Sequence, residues 1–529
     1  MSFDSFPIIY WLIGFFICGM LVLMANIEKI GLIFTLLIGG LLLLVMRLPV
    51  VVFNHELNPD ESQIISQALT LRQNPIFWQS VDGTTIGPLD IYLLTLVKIF
   101  GGNIDYSTAH AAALGCSLVS LLFFSLSIRN FFNESTAKLA VIPVILFLAF
   151  TQETDFIHYT SEQVPLVLLT SSLWLSSSIY KGNTSKWFVF LLGFILGMIP
   201  FAKLQASLQA VYLGMGIFLV LLQRRQIKST FTLILGGLTF PILVFIFLIS
   251  FGLLPSFVEF YIKGNLVYAS SGNTKSIFSQ FVDILVLSPD FLKYLSSLAG
   301  LILIGAFSVR KNIDKWLLGF LFGWVLVSIY AITKSGNPFV HYLNLLIYPL
   351  ALLGAFFVHY VKKPNLKIVI AFIPFLVWLI SFIPQALKKQ PLNLYVSTTN
   401  HTLQQSEVAK KILEYARPDD MLVVWGWACR YYVETQLTEG TAETHAVRCI
   451  YEHSMRANYR KRYIADIRRN RPAIFVDAVG KNSVWLQDTT TQSHQNFPEL
   501  KDFIASNYTL KATVDEVKIY ILNKRSIKK

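Results

Sequence analysis

The stretch IGLIFTLLIGGLLLLVMRLPVVVFNHELNPDESQ, residues 30–63, joins a long apolar run to a polar motif. The apolar part, 30–50, is long enough to cross a bilayer as one helix, which needs ~20 residues. The polar part places Asp60 and Glu61 shortly after the chain leaves the apolar run. The stretch therefore predicts a membrane-spanning helix that carries carboxylates to the membrane surface.

The apolar character extends through most of the chain. Of its 529 residues, 54% are hydrophobic and 14% are charged, and the mean hydropathy is +0.56. A soluble chain of this length needs more polar surface. We therefore predict an α-helical polytopic membrane protein with about twelve transmembrane helices. The predicted spans are 7–25, 30–50, 107–128, 137–150, 164–180, 187–202, 206–223, 230–252, 292–309, 316–333, 342–361 and 367–384. The first lacks a basic n-region and a small-residue cleavage site, so we expect a retained helix.

Basic residues between the predicted spans set the expected orientation. Five loops carry them, and all five fall on one side if the helices alternate, which the positive-inside rule makes cytoplasmic. The net charge of +13 thus reflects topology and does not indicate nucleic-acid binding. The residues are Arg129, Lys138, Lys181, Lys186, Arg224, Arg225, Lys228, Arg310, Lys311, Lys315, Lys362, Lys363 and Lys367. The segments expected on the opposite, extracytoplasmic face are 51–106, 151–163, 253–291, 334–341 and the tail from 385.

Two domains are expected. Residues 1–384 form the transmembrane domain, whose first outer loop, 51–106, has amphipathic helices at 59–74 and 88–100, the second along the membrane surface. Residues 385–529 form an extracytoplasmic soluble α/β domain. Its predicted strands are 421–427, 473–476 and 517–522, and its predicted helices are 404–416, 454–469 and 499–506.

Four polar features collect on the predicted outer face. They are the Asp60–Glu61 pair, Glu162, Lys203 and His341. Each also has a structural interpretation: acids at a helix N-terminus favour the helix dipole, Lys203 is able to snorkel to the interface, and His341 fits a loop histidine. Their convergence on one face is the stronger argument for function.

Carboxylates, a lysine and a histidine at one membrane face suit transfer of a sugar from a lipid phosphate. A cation near the phosphate stabilises the negative charge that develops as the phosphate departs. A carboxylate takes the proton of the attacking hydroxyl. We expect the acids near 60 and 162 and the amine at 203 to share one cavity.

The order of these motifs resembles a known family. Asp60–Glu61 after an early membrane helix, then Gly87-Pro88-Leu89-Asp90-Ile91-Tyr92, resembles the protein O-mannosyltransferase and aminoarabinose-transferase family of GT-C-fold enzymes. Those enzymes use polyprenyl- or dolichyl-phosphate sugars. The later landmarks, over residues 30–384, are Tyr159-Thr160-Ser161-Glu162, Lys203 and His341-Tyr342.

The resemblance implies roles for individual residues. Asp60 is the expected catalytic carboxylate, acting as general base or through a metal, with Glu61 in support, and Glu162 is a second acid on the acceptor or metal side. Lys203 and His341 face the donor phosphate. Tyr92 and Tyr342 contact substrate. The family inverts the anomeric centre in one displacement. Two departures weaken any assignment to a subfamily: Gly87-Pro88-Leu89 replaces the frequent Pro-Pro-Leu, and helix 7–25 is additional.

The tail leaves several alternatives open. Aromatic residues at 424–432 fit a packed core edge or a sugar-stacking surface. A basic stretch, 456–471, fits a solvated face or a contact with anionic headgroups or glycans. Cys429 and Cys449 share the oxidising side and are a candidate disulfide, with the unpaired state favoured.

Two other functions compete with glycosyl transfer. A transporter or flippase usually places ionisable residues at mid-membrane and has inverted repeats, and neither is evident here. A ligase that uses a diphosphate-linked glycan shares the topology without the first-loop motif. A divalent cation, Mg²⁺ or Mn²⁺, stays open because carboxylates suit a metal-bound or a metal-free site. The expected acceptor is an envelope glycan, lipid or protein, and the expected location is a bacterial inner membrane.

Overall fold

The computed structural model describes residues 4–97, 102–270, 272, 275–309, 313–395 and 402–523. The end of the predicted loop helix 88–100, from residue 98 on, and the basic residues Arg310 and Lys311 lie outside these ranges. The chain forms two compact units, each built from several segments. The helical unit comprises 1–53, 110–247 and 269–400, and the sheet unit comprises 54–109, 248–268 and 401–529. The predicted domain boundary at 384/385 stays a prediction.

The described chain is mainly helical. The helices up to residue 250 are α1 Ile8–Ala25, α2 Leu32–Val52, α3 Pro59–Gln73, α4 Pro88–Val97, α5 Tyr106–Phe131, α6 Glu134–Ala140, α7 Ile142–Phe150, α8 Gln163–Tyr180, α9 Lys186–Met198, α10 Ser207–Gln223 and α11 Ile227–Ser250. The next are α12 Leu254–Ser256, a π-helix at Phe257–Lys263, α13 Gly264–Ser270, α14 Ile277–Val286, α15 Pro289–Ser308, α16 Lys315–Thr333, α17 Asn344–His359 and α18 Pro364–Leu387. The tail helices are α19 Glu407–Leu413, α20 Arg430–Thr435, α21 Val447–Ile450, α22 Arg456–Asn470, α23 Thr489–Gln492 and α24 Pro498–Asn507.

Within the described residues, nine helical segments are long and apolar enough to cross a membrane. They are Ile8–Ala25, Leu32–Val52, Tyr106–Phe131, Leu204–Gln223, Ile227–Ser250, Pro289–Ser308, Lys315–Thr333, Val340–His359 and Pro364–Leu387. The other three predicted spans are also helical. However, α7 and α9 have only 9 and 13 residues, and α8 is rich in serine. The predicted number of about twelve spans therefore stays a prediction.

The helical unit presents apolar side chains outward, as expected of a surface in contact with lipid. Phe16, Phe231 and Phe307 are all more than half exposed. Inside the unit, Trp11 stacks on Phe382 with ring centroids 5.8 Å apart, so α1 packs against α18. The additional N-terminal helix is thus an integral part of the unit.

The sheet unit contains five strands in the order β2-β1-β3-β5-β4. They are β1 Met421–Trp425, β2 Thr438–Glu439, β3 Ile474–Asp477, β4 Tyr508–Val514 and β5 Val517–Leu522. Strand β1 pairs parallel with β2 and β3, whereas β5 pairs antiparallel with β3 and β4. The β4–β5 turn uses Asp515 and Glu516, both at positive φ, as a two-residue hairpin turn requires. The predicted α/β character of the tail is confirmed.

Helix α3 differs from its prediction. The sequence predicts an amphipathic helix, but every residue from Glu61 to Leu71 is buried. Tail residues cover its polar side: the Ser66 hydroxyl donates to Glu439 at 2.7 Å, and the Gln67 amide donates to Thr444 at 2.7 Å. The polar face therefore meets hydrogen-bonding partners inside the sheet unit rather than water.

Candidate active site

In the helical unit, the predicted residues Glu162 and Lys203 meet as a buried ion pair. The ammonium of Lys203 donates to the Glu162 carboxylate and to the Ser161 hydroxyl, the latter at 2.6 Å. Both side chains are at most 4% exposed. Lys203 thus does not snorkel to a surface of its unit, which removes that alternative.

Glu162 and Lys203 both lie where the chain breaks between two helices. Glu162 lies just before α8, and Lys203 has an extended backbone between two 3₁₀ turns at Ile199–Phe201 and Leu204–Ala206. Burial alone raises the pKa of the Glu162 carboxyl, but the charges of Lys203 and His341, with hydrogen bonds, hold it below its ordinary value. The surroundings of Glu162 therefore favour its carboxylate form.

His341 and Tyr342 lie beside this pair. The Tyr342 ring is 5.0 Å from the Lys203 ammonium, within cation–π range. The His341 Nδ1 is 3.4 Å from the Asp155 carboxylate. Burial raises the pKa of Asp155, but the hydrogen bond from His341 and nearby histidine charges outweigh burial and lower it. The structure thus brings together Glu162, Lys203, His341 and Tyr342, four of the predicted site residues.

The segment 151–162 also holds residues that the sequence analysis did not single out. Glu153 accepts from the Ser288 hydroxyl and from the Asp290 amide, the latter at 2.7 Å. Its burial raises the pKa of Glu153 to about 7. Arg47, buried near the end of α2, donates to the Phe156 carbonyl at 3.2 Å. A lone arginine inside an apolar run is the sequence signal by which Arg47 could have been found.

In the sheet unit, Asp60 and Glu61 occupy the first turn of α3. The Asn58 side chain caps this helix by accepting from the Asp60 amide at 3.0 Å. Glu61 is fully buried and accepts from the Leu57 amide at 3.3 Å. Asp60 is partly exposed, and no hydrogen bond or ion pair within the described residues of its unit engages its carboxylate. Glu61 therefore anchors the turn, and Asp60 presents an open carboxylate.

A second acid supports the same turn. Glu56 accepts from the Ser62 hydroxyl at 2.5 Å, and Ser62 is 2.7 Å from the Tyr106 hydroxyl. Burial raises the pKa of Glu56. The predicted substrate residue Tyr92 has a local partner, since its hydroxyl donates to the Pro75 carbonyl at 2.6 Å. The catalytic and substrate roles of Asp60, Glu61 and Tyr92 stay predictions, as does the shared cavity.

The sheet unit contains a buried charge network that the sequence analysis missed. The Arg462 guanidinium bonds to the carboxylates of Asp82 and Glu443 and lies 3.3 Å from the centroid of the Phe260 ring. Burial raises the pKa of Glu443 to about 7 and that of Glu439 to about 8. These groups join the first loop to the tail.

The open questions about the tail have structural answers. Trp425 and Tyr432 are buried, and Trp427 packs on His445 and Trp485, which supports the core interpretation of 424–432. The basic stretch divides between Arg462, directed inward, and exposed side chains that fit the solvated-face interpretation. The exposed ones are Lys461, Arg468, Arg469 and Arg471. Cys429 and Cys449 are buried free thiols.

Side chains able to bind a metal ion are a further feature of the predicted site. Among the described residues, no group of three or more His, Cys, Asp or Glu side chains is arranged to hold a metal ion. Because Mg²⁺ is often held by one or two carboxylates together with substrate phosphate oxygens, a bound Mg²⁺ or Mn²⁺ stays a prediction.

The fold was compared with known proteins. No protein-family model matches the chain, and no curated protein sequence matches it. Among solved structures, the chain is similar to ArnT from Cupriavidus metallidurans bound to undecaprenyl phosphate, with a TM-score of 0.56 at 13% identity over 92% of this chain and 97% of that chain. The apo form of the same protein gives a TM-score of 0.54 at 11% identity, with the same coverage.

These similarities define the class of fold. ArnT is an aminoarabinose transferase with the GT-C fold, so the chain has the GT-C fold predicted from its motifs. With its nine apolar helical segments among the described residues, it is an integral, multi-pass membrane protein.

Proposed function

We propose that this protein is an inverting glycosyltransferase that moves a sugar from a polyprenyl-phosphate donor to an extracytoplasmic acceptor. The acceptor hydroxyl oxygen bonds to the anomeric carbon while the bond from that carbon to the phosphate oxygen breaks. The hydroxyl proton passes to Asp60, and polyprenyl phosphate leaves. The GT-C fold supports this class of reaction.

The observation that carries the proposal is the buried Lys203 ammonium with the nearby His341 imidazole, each paired with a carboxylate. Lys203 is held by Glu162 and His341 by Asp155. Donors fixed in advance stabilise charge that develops on a departing phosphate without reorganising. We therefore propose that Lys203 and His341 face the phosphate, that Tyr342 lines the donor site, and that Glu162 acts mainly by positioning Lys203.

An apolar groove supports a lipid-linked donor. It lies between α9, α10 and α11 and measures about 330 Å³. Pro200 and Ser207, which flank Lys203 along the chain, are among its lining residues. A polyprenyl chain in this groove would remain against hydrocarbon while its phosphate lies near the lysine. The undecaprenyl phosphate bound to ArnT is a ligand of this chemistry.

In the sheet unit, we propose Asp60 as the general base, with Glu61 holding its helix turn and Tyr92 on the acceptor side. The open Asp60 carboxylate supports this role, since a base already engaged by a cation would have to lose that partner first. We place the reaction at the extracytoplasmic face, on the basis of the charge distribution in the loops. We propose a bacterial inner membrane as the location of the protein.

The proposal is tested with the purified chain in liposomes and a panel of sugars on polyprenyl monophosphate or polyprenyl diphosphate. We expect sugar release from a monophosphate donor only. Lys203→Met is expected to raise the KM for the donor roughly tenfold, because one charge-assisted contact is lost. Lys275→Met, at an exposed ion pair, is the matched control. Release from the diphosphate donor alone would favour a ligase, and an unchanged donor KM in Lys203→Met would refute the phosphate role.

A further inference from the structure

Besides the apolar groove, the helical unit has a cavity with polar lining residues, which lies at one end of α1, α15 and α18. It measures about 110 Å³, which is room for several water molecules. Trp11, Trp378 and Phe382 form aromatic walls, and Lys293 and Asp290 form the polar side. None of these residues has a role in the proposed transfer reaction.

The cavity offers hydrogen-bond donors to a ligand. The Lys293 ammonium is 2.7 Å from Asp290 and 5.1 Å from the centroid of the Trp378 ring. An ammonium has three N–H groups, so the ion pair with Asp290 leaves other N–H groups of Lys293 able to donate to a ligand. Trp378 is 4% exposed, and its Nε1–H has no hydrogen-bond partner within the described residues. Because a buried N–H group usually has a hydrogen-bond acceptor, the Trp378 N–H favours a ligand with acceptor oxygens in this cavity.

The local charge favours an anion. Lys388 and Lys389 are exposed and follow shortly after Gln385, which lines the cavity. Together with Lys293 they are three basic residues toward this end of the unit, beside the carboxylates of Asp290 and the neighbouring Glu153. Asp290 is already engaged by the Thr151 hydroxyl, the Gln152 amide and Lys293.

The surroundings favour a ligand with an apolar part. On the outer faces of α1 and α18, Ile9, Ile380 and Leu387 are 72%, 64% and 80% exposed. Apolar surface of this kind on a membrane helix meets acyl chains. A molecule bound here would therefore have its polar end against Lys293 and its chains along these helices.

We propose that this cavity binds the phosphate of an anionic phospholipid, with Lys293 and the Trp378 N–H as donors. The phosphodiester supplies acceptor oxygens and a negative charge, and the acyl chains lie on α1 and α18. The additional N-terminal helix supplies one wall of the site through Trp11. The bound lipid is distinct from the sugar donor.

Native mass spectrometry of the full chain in detergent tests the site. Phosphatidylglycerol is titrated, and bound lipid is counted. Trp378→Phe removes the N–H and keeps a ring, and is expected to lower the affinity about threefold. Lys293→Met is expected to lower it roughly tenfold. The matched controls are Trp316→Phe, at an exposed tryptophan of α16, and Lys275→Met, and both should bind like the wild type.

Three outcomes would overturn the proposal. They are unchanged phosphatidylglycerol affinity in both variants, equal affinity for phosphatidylcholine, and displacement of phosphatidylglycerol by an equimolar amount of polyprenyl phosphate. The last would assign the cavity to the donor lipid. Because Trp378→Phe is a conservative change, it keeps the test decisive if Lys293→Met fails to fold.

Discussion

The Glu162–Lys203 pair is the most deeply buried ion pair of the candidate site, with side-chain exposures of 0% and 4%. Each member makes the burial of the other tolerable, because an isolated charge in a protein interior is strongly destabilising. This dependence on a partner makes the pair a sensitive point for stability as well as for donor binding.

Glu162→Gln is expected to lower the free energy of unfolding by about 3–5 kcal/mol, because Lys203 is left as an uncompensated buried charge. The double variant Glu162→Gln/Lys203→Met should recover much of the loss. Denaturant unfolding in detergent measures both. Glu407→Gln, at an exposed pair with Lys410, should stay within about 0.5 kcal/mol of the wild type. Additive losses in the double variant would contradict the coupling.

Glu439 sets a pH dependence of stability. Its pKa is raised from 4.5 to about 8, chiefly by burial. The folded state therefore holds a proton that the unfolded state releases between these values, and stability falls as pH rises through that range. We expect Glu439→Gln to be more stable than the wild type at pH 9 by at least ~1.4 kcal/mol, the equivalent of one pKa unit.

The advantage of Glu439→Gln should shrink as the pH is lowered to 6, where the wild-type carboxyl is protonated. Thermal unfolding at several pH values measures it. Glu452→Gln, at an exposed carboxylate of the same unit, is the control and should show no such trend. A Glu439→Gln variant that is less stable than the wild type at pH 9 would show that the carboxylate form is the stabilising one.

Individual residues of the helical site were predictable where a charge interrupts an apolar run. Lys203 stands out in this way, whereas Glu162 was predicted from its place in a loop on the outer face, and the structure joins the two. Arg47 gave the same signal and was overlooked. The raised pKa of Glu439 had no sequence signal, because it follows from burial against Ser66, a contact across 373 positions of the chain.

At the scale of elements, α9 and α11 approach each other closely through glycine. A Cβ added at Gly193 would lie 2.2 Å from the Leu233 carbonyl oxygen, and one at Gly236 would lie 2.2 Å from the Phe190 carbonyl oxygen. These contacts are with backbone, which has little room to shift. Close packing through small residues is a general means of helix association in membranes.

Gly193→Val is therefore expected to lower the free energy of unfolding of the helical unit by about 1–3 kcal/mol, which is the usual cost of overpacking. Gly115→Val in α5, where an added Cβ meets nothing within 4 Å, is the matched control. The midpoint of thermal unfolding in detergent compares the two. Equal midpoints for both variants would show that α9 is able to move away from α11.

The helices themselves were predictable from apolar runs, and all twelve predicted spans are helical in the structure. The environment of α3 was not. Its sequence, PDESQIISQALTLRQ, is too polar to suggest full burial. Its polar side chains are buried because Glu439 and Thr444 of the tail bond to them, and such distant partners leave no local pattern.

For the whole molecule, the GT-C fold was predictable because the order of short motifs along the chain resembles a family of that fold. Which segments of the chain combine into each of the two units was not predictable from these motifs. Residues 54–109 form one compact unit with 401–529, although nearly 300 residues separate them in sequence. Such an association depends on burial and hydrogen bonding between distant segments.

The most direct measurement of the proposed reaction is single-turnover sugar transfer from a polyprenyl-monophosphate donor by the wild type and by Asp60→Asn in liposomes. The Asn variant keeps the size of the side chain and removes the base, so we predict a loss of about 10²–10⁴-fold in the transfer rate with normal membrane insertion. Glu452→Gln should transfer like the wild type. A fully active Asp60→Asn protein would contradict the assignment of Asp60 as the catalytic base.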